Sequence, residues 1–185
     1  MQQLSIHFLF ERLFSFAYNK SYFPSEIHLP AISKTYFVEY QKKADVFRWE
    51  KKGSHLIIYG SHRRRTLIRK QIFQALKTDC QMAFTPRLRE MSQQYNLSFR
   101  NVRYKTQKTL WGSCSELKNL NFNIRLLFLP TPLVEYVFLH ELCHTRHLDH
   151  SKRFWSLVQQ HDPHYKIQEK KLESASEYLP QWAKL

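Results

Sequence analysis

The hydrophobic pattern of the first hundred residues changes from helical to strand-like and back to helical. Apolar residues near the N-terminus recur at helical spacing and predict an amphipathic helix; they are Ile6, Phe10, Leu13, Phe14 and Ala17. Residues 26–60 are instead rich in β-branched and aromatic residues, which favours strands. Helical spacing returns over residues 62–95, where Pro86 is expected to begin a second helical segment.

Within the β-rich region, three runs are expected to be strands: residues 35–40, 46–50 and 55–59. The turn signal Lys-Lys-Gly-Ser at residues 51–54 separates the last two runs. We therefore expect these two strands to form a hairpin.

The second half of the chain is predicted to alternate between strands and helices. Residues 98–106 and 120–128 are expected to be strands, with a loop of small residues at 111–115 between them. A helix is expected over about 132–146, since Pro132 suits its first position and Thr131 is a plausible N-cap. Two further helices are predicted, near 152–160 and 164–176.

The composition is that of a folded, basic protein. The chain has 185 residues, of which 43% are hydrophobic and 15% aromatic, too many for a disordered chain. We expect one domain over 1–185, with an N-terminal part (1–60) and a metal-binding core (61–185). The net charge of +14 predicts attraction to nucleic acid, nucleotides or another polyanion.

The cysteines and the apolar runs bear on location. The three Cys residues, Cys80, Cys114 and Cys143, are an odd number without close pairing, which favours a reducing compartment and predicts a cytoplasmic protein. Charged residues interrupt the N-terminal apolar run after residue 10, and no other run reaches spanning length. We therefore expect neither a signal peptide nor a membrane span.

The segment His140-Glu141-Leu142-Cys143-His144 carries the strongest chemical signal. Residues four apart lie on one face of a helix, so His140 and His144 can hold one metal ion. Glu141 lies about 100° around the helix, beside the metal, where it can act as a general base instead of a ligand. This arrangement is typical of zinc hydrolases.

A catalytic zinc site needs a third protein ligand. His147 lies about 10.5 Å from His140 along a straight helix, too far to share a metal with bonds of about 2.1 Å. His150 can return if the helix ends near residue 146, with Ser151 as the N-cap of the next helix. We favour His150, and a carboxylate from the following helix stays an alternative; the candidates are Glu169, Glu173 and Glu177. Asp149 is a candidate to close this turn, which lacks a glycine, or instead to orient one of the ligand imidazoles.

Five runs follow each other in the order and spacing of a known family: TLWGSCS (109–115), LNFNIRL (120–126), YVFLHELCH (136–144), DHSKRFW (149–155) and HDPHY (161–165). Over about residues 100–175 the chain resembles the YgjP-like metallopeptidases, zincins distantly similar to SprT-like proteases. The resemblance implies an α+β, zincin-like fold, in which a small mixed sheet packs beside the metal-binding helix and further helices follow. It also implies a Zn²⁺ cofactor held by His140, His144 and His150, with Glu141 as catalyst. The chain departs from the family at Leu110, Ile124 and Asp149, where Arg, Trp and Asn are usual.

We expect a zinc-dependent hydrolase, most simply a metallopeptidase acting on a peptide or protein. Two alternatives stay open: a zinc-dependent phosphohydrolase acting on nucleotides, and a nucleic-acid-associated module with a structural metal. A structural zinc usually has four protein ligands, which disfavours the last. Asn123, Arg125, Ser113 and the backbone of residues 111–115 are candidates to stabilise the transition state. Trp111 is expected to anchor the core, and Cys114 and Cys143 to pack.

Overall fold

The computed structural model describes residues 23–43, 46–61, 63–107 and 109–184. The N-terminal amphipathic helix predicted from the sequence lies outside these residues. The chain divides into two units, the first made of residues 1–27 and 35–72 and the second of residues 28–34 and 73–185. The expectation of one domain stays a prediction.

Four strands form the first sheet, in the order β1-β2-β4-β3. They are β1 (Glu26–Leu29), β2 (Lys34–Gln41), β3 (Arg48–Lys52) and β4 (His55–Tyr59), and a short 3-10 turn (Pro30–Ile32) follows β1. The predicted hairpin is confirmed, since β3 and β4 are antiparallel and are joined at Gly53, which has a φ of 58°. The parallel pairing of β2 with β4 was not predicted, because it joins strands that are not adjacent in the chain.

Two helices follow, α1 (Arg65–Asp79) and α2 (Thr85–Gln94). The second segment predicted at Pro86 is α2, but no break precedes it. A π-helical turn, Cys80–Phe84, continues α1 directly into α2. Proline lacks an N–H and would clash with the carbonyl four residues earlier in a regular α-helix. The wider π-helical turn just before Pro86 accommodates that disruption.

The second sheet has three strands in the order β5-β7-β6: β5 (Asn101–Lys105), β6 (Gly112–Cys114) and β7 (Asn119–Asn123). Two predictions were wrong here. The small-residue loop contains strand β6, and the strand expected over residues 120–128 ends at Asn123 and continues as a buried 3-10 helix, Ile124–Phe128. The side chain of Asn123 accepts a hydrogen bond from the backbone N–H of Arg125 at 3.1 Å, which begins this helix. A short apolar run does not by itself distinguish a buried strand from a buried helix.

Three α-helices follow, α3 (Thr131–Cys143), α4 (Lys152–His161) and α5 (Tyr165–Glu173), and two short 3-10 helices, Ala175–Tyr178 and Gln181–Ala183, end the described chain. Thr131 is the first residue of α3 and not its cap; the carbonyl of Pro130 accepts from Leu133 N and Val134 N at 3.0 and 3.3 Å. Phe138 of α3 packs edge-on against Phe122 of β7, with ring centres 4.8 Å apart. The α+β class with a small sheet beside this helix is therefore confirmed. Among the described residues, no helix is both long and apolar enough to cross a bilayer.

Candidate metal centre

Three histidines converge at the end of α3. His140 and His144 lie one helical turn apart, and their Nε2 atoms are 3.2 Å from each other. His150, beyond the helix, places its Nε2 atom 3.1 Å from that of His140. Two nitrogens bound to one tetrahedral zinc at about 2.1 Å lie about 3.4 Å apart. The spacing of these atoms therefore suits a shared ion.

The chain returns to the site through a tight turn without glycine. After α3 ends at Cys143, the backbone N–H groups of Arg146 and His147 both donate to the carbonyl of Cys143, at 3.0 and 3.1 Å. The carboxylate of Asp149 then accepts from the N–H of Ser151 at 3.2 Å. Ser151 holds the predicted N-cap position of α4, but its side chain makes no capping hydrogen bond. Asp149 therefore shapes the turn that brings His150 back, and the contact to a ligand imidazole expected for it is absent among its described hydrogen bonds.

The orientation of His144 follows from its partner. Its Nδ1 lies 2.9 Å from the carbonyl oxygen of His147. A carbonyl only accepts, so Nδ1 carries the proton and Nε2 keeps its lone pair for a metal. His147 thus supports the site through its backbone, and its imidazole lies outside the cluster, as the spacing predicts.

Aromatic side chains of α4 pack on the imidazoles, of which that of His150 stays exposed. Phe154, which is fully buried, stacks on His144 with ring centres 4.4 Å apart. The ring centre of Trp155 lies 5.7 Å from that of His150 and 5.9 Å from that of His140. Burial, with smaller contributions from the other two histidines, lowers the pKa of His140 to about 3. Burial also lowers the pKa of His144. Both rings are therefore neutral near pH 7, as metal ligands must be.

Glu141 supports a metal at this place. Its side chain is buried, and its Oε2 atom has no hydrogen-bond partner. Burial raises the pKa of Glu141 to about 8. A bound cation nearby would favour the charged carboxylate and would account for a buried acid without a partner. The residues present therefore fit a metal ion.

The other candidate ligands do not join this cluster. Among the described residues, His140, His144 and His150 form the group whose geometry could hold a metal ion. The alternative glutamates, Glu169, Glu173 and Glu177, are not part of it. Cys80 and Cys143 are buried thiols, and Cys114 is a half-buried one. Burial raises the pKa of Cys143 to about 12, so this thiol packs in its protonated form.

Two of the predicted transition-state stabilisers, Asn123 and Arg125, are engaged elsewhere. The amide of Asn123 donates to the carbonyls of Gln107 and Leu110, both at 2.9 Å. Arg125 donates to the carbonyl of Ala183 at 2.7 Å and to that of Gln107 at 2.9 Å. These contacts hold the loop before β6. Trp111, which was expected to anchor the core under this loop, is half-buried.

Interpretation of the sequence missed one close neighbour of the site, Gly112, which was treated only as part of a small-residue loop. Strand β6 places it directly against the side chain of Glu141. The chain has only three glycines, and a glycine within a strand marks a close approach of another group. That scarcity was the available signal.

Comparison with known proteins shows which family this chain belongs to. The family model described as YgjP-like, metallopeptidase domain, matches residues 10–175. No curated protein matches the chain. A solved structure, that of the metallopeptidase zymogen of Pyrococcus abyssi abylysin, is 22% identical, with a TM-score of 0.43, and the match covers 47% of this chain and 89% of that one. The family model matches most of the chain, and the protein therefore belongs to the YgjP-like metallopeptidase domain family and is a metal-dependent hydrolase.

Proposed function

We propose that the protein is a zinc-dependent peptidase in which His140, His144 and His150 hold the ion and Glu141 is the general base. The observation that carries the proposal is the convergence of three Nε2 atoms beside a buried carboxylate that lacks a hydrogen-bond partner. Three ligands leave a fourth position open, which a catalytic zinc requires and a structural one does not.

In this mechanism, bound zinc would polarise the substrate carbonyl and lower the pKa of water to about 7. The Glu141 carboxylate accepts the proton of the attacking water and delivers it to the leaving amine. His144 is held in one tautomer by the carbonyl of His147. The ring of Phe154 keeps the same imidazole in place and excludes water from its face.

Strand β6 favours an extended peptide as the substrate. Within the described part of the second sheet β6 is an edge strand, bonded only to β7. Asn123 N donates to the carbonyl of Trp111, and Ser115 N donates to that of Asn119. In an antiparallel pair only every second residue directs its backbone N–H and C=O towards the partner strand. The backbone groups of Gly112 and Cys114 therefore point away from β7, to the open side. An extended peptide can add to such an edge through main-chain hydrogen bonds, beside Glu141.

The nucleotide alternative has no comparable support at the site. A phosphohydrolase needs cationic donors that face the phosphates. Arg125, the buried arginine near this loop, donates to two carbonyl oxygens instead. Binding of nucleic acid and a cytoplasmic location stay predictions.

The test is a Glu141→Gln variant of protein purified without chelator. Elemental analysis is expected to give about one zinc per chain for both proteins. The rate at which the variant digests an unfolded protein such as casein should be about a thousandfold lower, because the base is removed while the ligands remain. Loss of zinc from the variant would make Glu141 a ligand, and full activity would refute its role as base. Rapid hydrolysis of nucleoside triphosphates, with none of casein, would favour the alternative.

A further inference from the structure

The structure assigns Gly112 the role of a positioning residue for Glu141: its lack of a side chain gives the carboxylate the space in which it lies. The inference rests on the proposed function of Glu141 as the base. A Cβ atom at position 112 would lie 2.6 Å from both Cγ and Oε1 of Glu141 and 2.9 Å from its Cδ. Non-bonded carbon atoms pack at about 3.5–4.0 Å, so no other residue fits without a shift.

Backbone conformation does not explain this glycine. The glycines with positive φ are Gly53, at 58°, and Gly60, at 157°. Gly112 lies in a regular strand, opposite Phe122 of β7, where any residue could adopt the backbone angles. The three atoms nearest to the missing Cβ all belong to Glu141. The need for glycine therefore comes from that one side chain.

Both backbones at this contact are held in place. On the sheet side, β6 pairs with β7, and Asn123 fixes the preceding loop through the carbonyls of Gln107 and Leu110. On the other side, α3 is buried around Glu141, and Leu142 and Phe138 are fully inaccessible. An added methyl group would therefore displace the flexible end of Glu141 before it moved either backbone. The expected consequence is a misplaced base in an otherwise folded, metal-binding protein.

The experiment compares Gly112→Ala with Ser98→Thr, which adds one methyl group at an exposed position before β5, away from the site, and keeps its hydroxyl. With zinc-loaded proteins and casein, we expect Gly112→Ala to retain its zinc and to lose about 100-fold in kcat with little change in KM, since displacement by about 1 Å suffices for that loss. Ser98→Thr should resemble the wild type. Wild-type kcat in Gly112→Ala would overturn the inference.

Thermal unfolding tests the contact independently of activity. Gly112→Ala is expected to lower Tm by about 4 °C when Glu141 is present, because the added group overpacks the contact. In a Glu141→Ala background the same change should have almost no effect on Tm. Equal lowering in the two backgrounds would show that Gly112 serves the strand and not Glu141. If the protein had no peptidase activity, the proposed function would be wrong. The comparison of Tm values would still decide whether Gly112 makes space for Glu141.

Discussion

The two units of the chain differ in the density of their positive charge and in the kind of groups that we expect to serve function. Residues 35–72 contain ten Lys or Arg and three Asp or Glu, a net charge of +7 in 38 residues. Residues 73–185 have a net charge of +6 in 113 residues. In the first unit most of the described cations are exposed, and several lie on aromatic rings. Arg48 and Lys43 lie 4.2 and 5.9 Å from the ring centre of Tyr59, and Arg64 lies 5.9 Å from that of Phe47.

In the second unit the proposed chemistry depends on neutral imidazoles and one buried carboxylate. Exposed charges act over a distance, but they are mobile and screened by salt, so they attract partners without fixing a geometry. Buried groups are few, yet packing holds each of them in one orientation. We therefore expect attraction of polyanions to be separable from hydrolysis, and the predictions below test that separation.

The largest effect is expected from loss of a metal ligand. His144→Ala should reduce the zinc content from about one ion per chain to almost none, because two ligands hold zinc far more weakly than three. His147→Ala is the matched control, since its imidazole lies outside the cluster and only its carbonyl contacts His144. Elemental analysis after dialysis measures both. Retention on heparin should be the same in the two variants, and equal zinc contents would refute the assignment of ligands.

The support of the site by α4 is tested by Phe154→Ala. This fully buried ring stacks on His144, so its removal should cost about 3–5 kcal/mol of unfolding free energy and should weaken zinc binding. Denaturant unfolding and competition with a chelator measure the two effects. Gln159→Ala, at an exposed position of the same helix, should change stability by less than about 0.5 kcal/mol. A similar, small effect of both variants would show that the packing of Phe154 is unimportant.

The basic residues of the first unit are expected to dominate binding to polyanions. Replacing Arg48 and Arg64 by Glu should lower affinity for single-stranded DNA by about tenfold or more at low salt and reduce its salt dependence. The control replaces Lys166 and Lys170, which are exposed on α5, by Glu and therefore alters the net charge by the same amount. Fluorescence anisotropy at two salt concentrations distinguishes the pairs. Equal losses would mean that net charge alone governs the binding.

A smaller effect concerns acid stability of the metal-free protein. The pKa of His140 is about 3 in the folded chain, below its ordinary value of 6.5. The unfolded chain therefore binds the proton first, and stability from the neutral ring is present above pH 6.5 and declines as the pH falls towards 3. Denaturant unfolding between pH 7 and pH 4 should show this decline, and His140→Ala should reduce its slope. An unchanged slope would show that another group is responsible.

Local patterns in the sequence predicted much of the fold. The β3–β4 hairpin, the α3 helix and the two helices after it are determined by turn residues and by spacing within short segments. The His140, Glu141 and His144 spacing likewise needed only the geometry of one helix. Errors arose where short apolar runs were ambiguous, as at residues 124–128, and where pairing joined distant strands, as between β2 and β4.

The sequence by itself therefore determined which residues could ligate a metal, because ligand chemistry and helical spacing are local properties. Tertiary structure decided which of the candidate residues lie close to one another. Only the folded turn shows that the Asp149 carboxylate accepts from the N–H of Ser151 and that the His147 carbonyl accepts from His144. Only the packing of β6 on α3 shows that Gly112 leaves space for Glu141. These contacts join segments about 30 residues apart or depend on the path of a turn, and such distances are set by the packing of the whole unit and not by the pattern within any one segment.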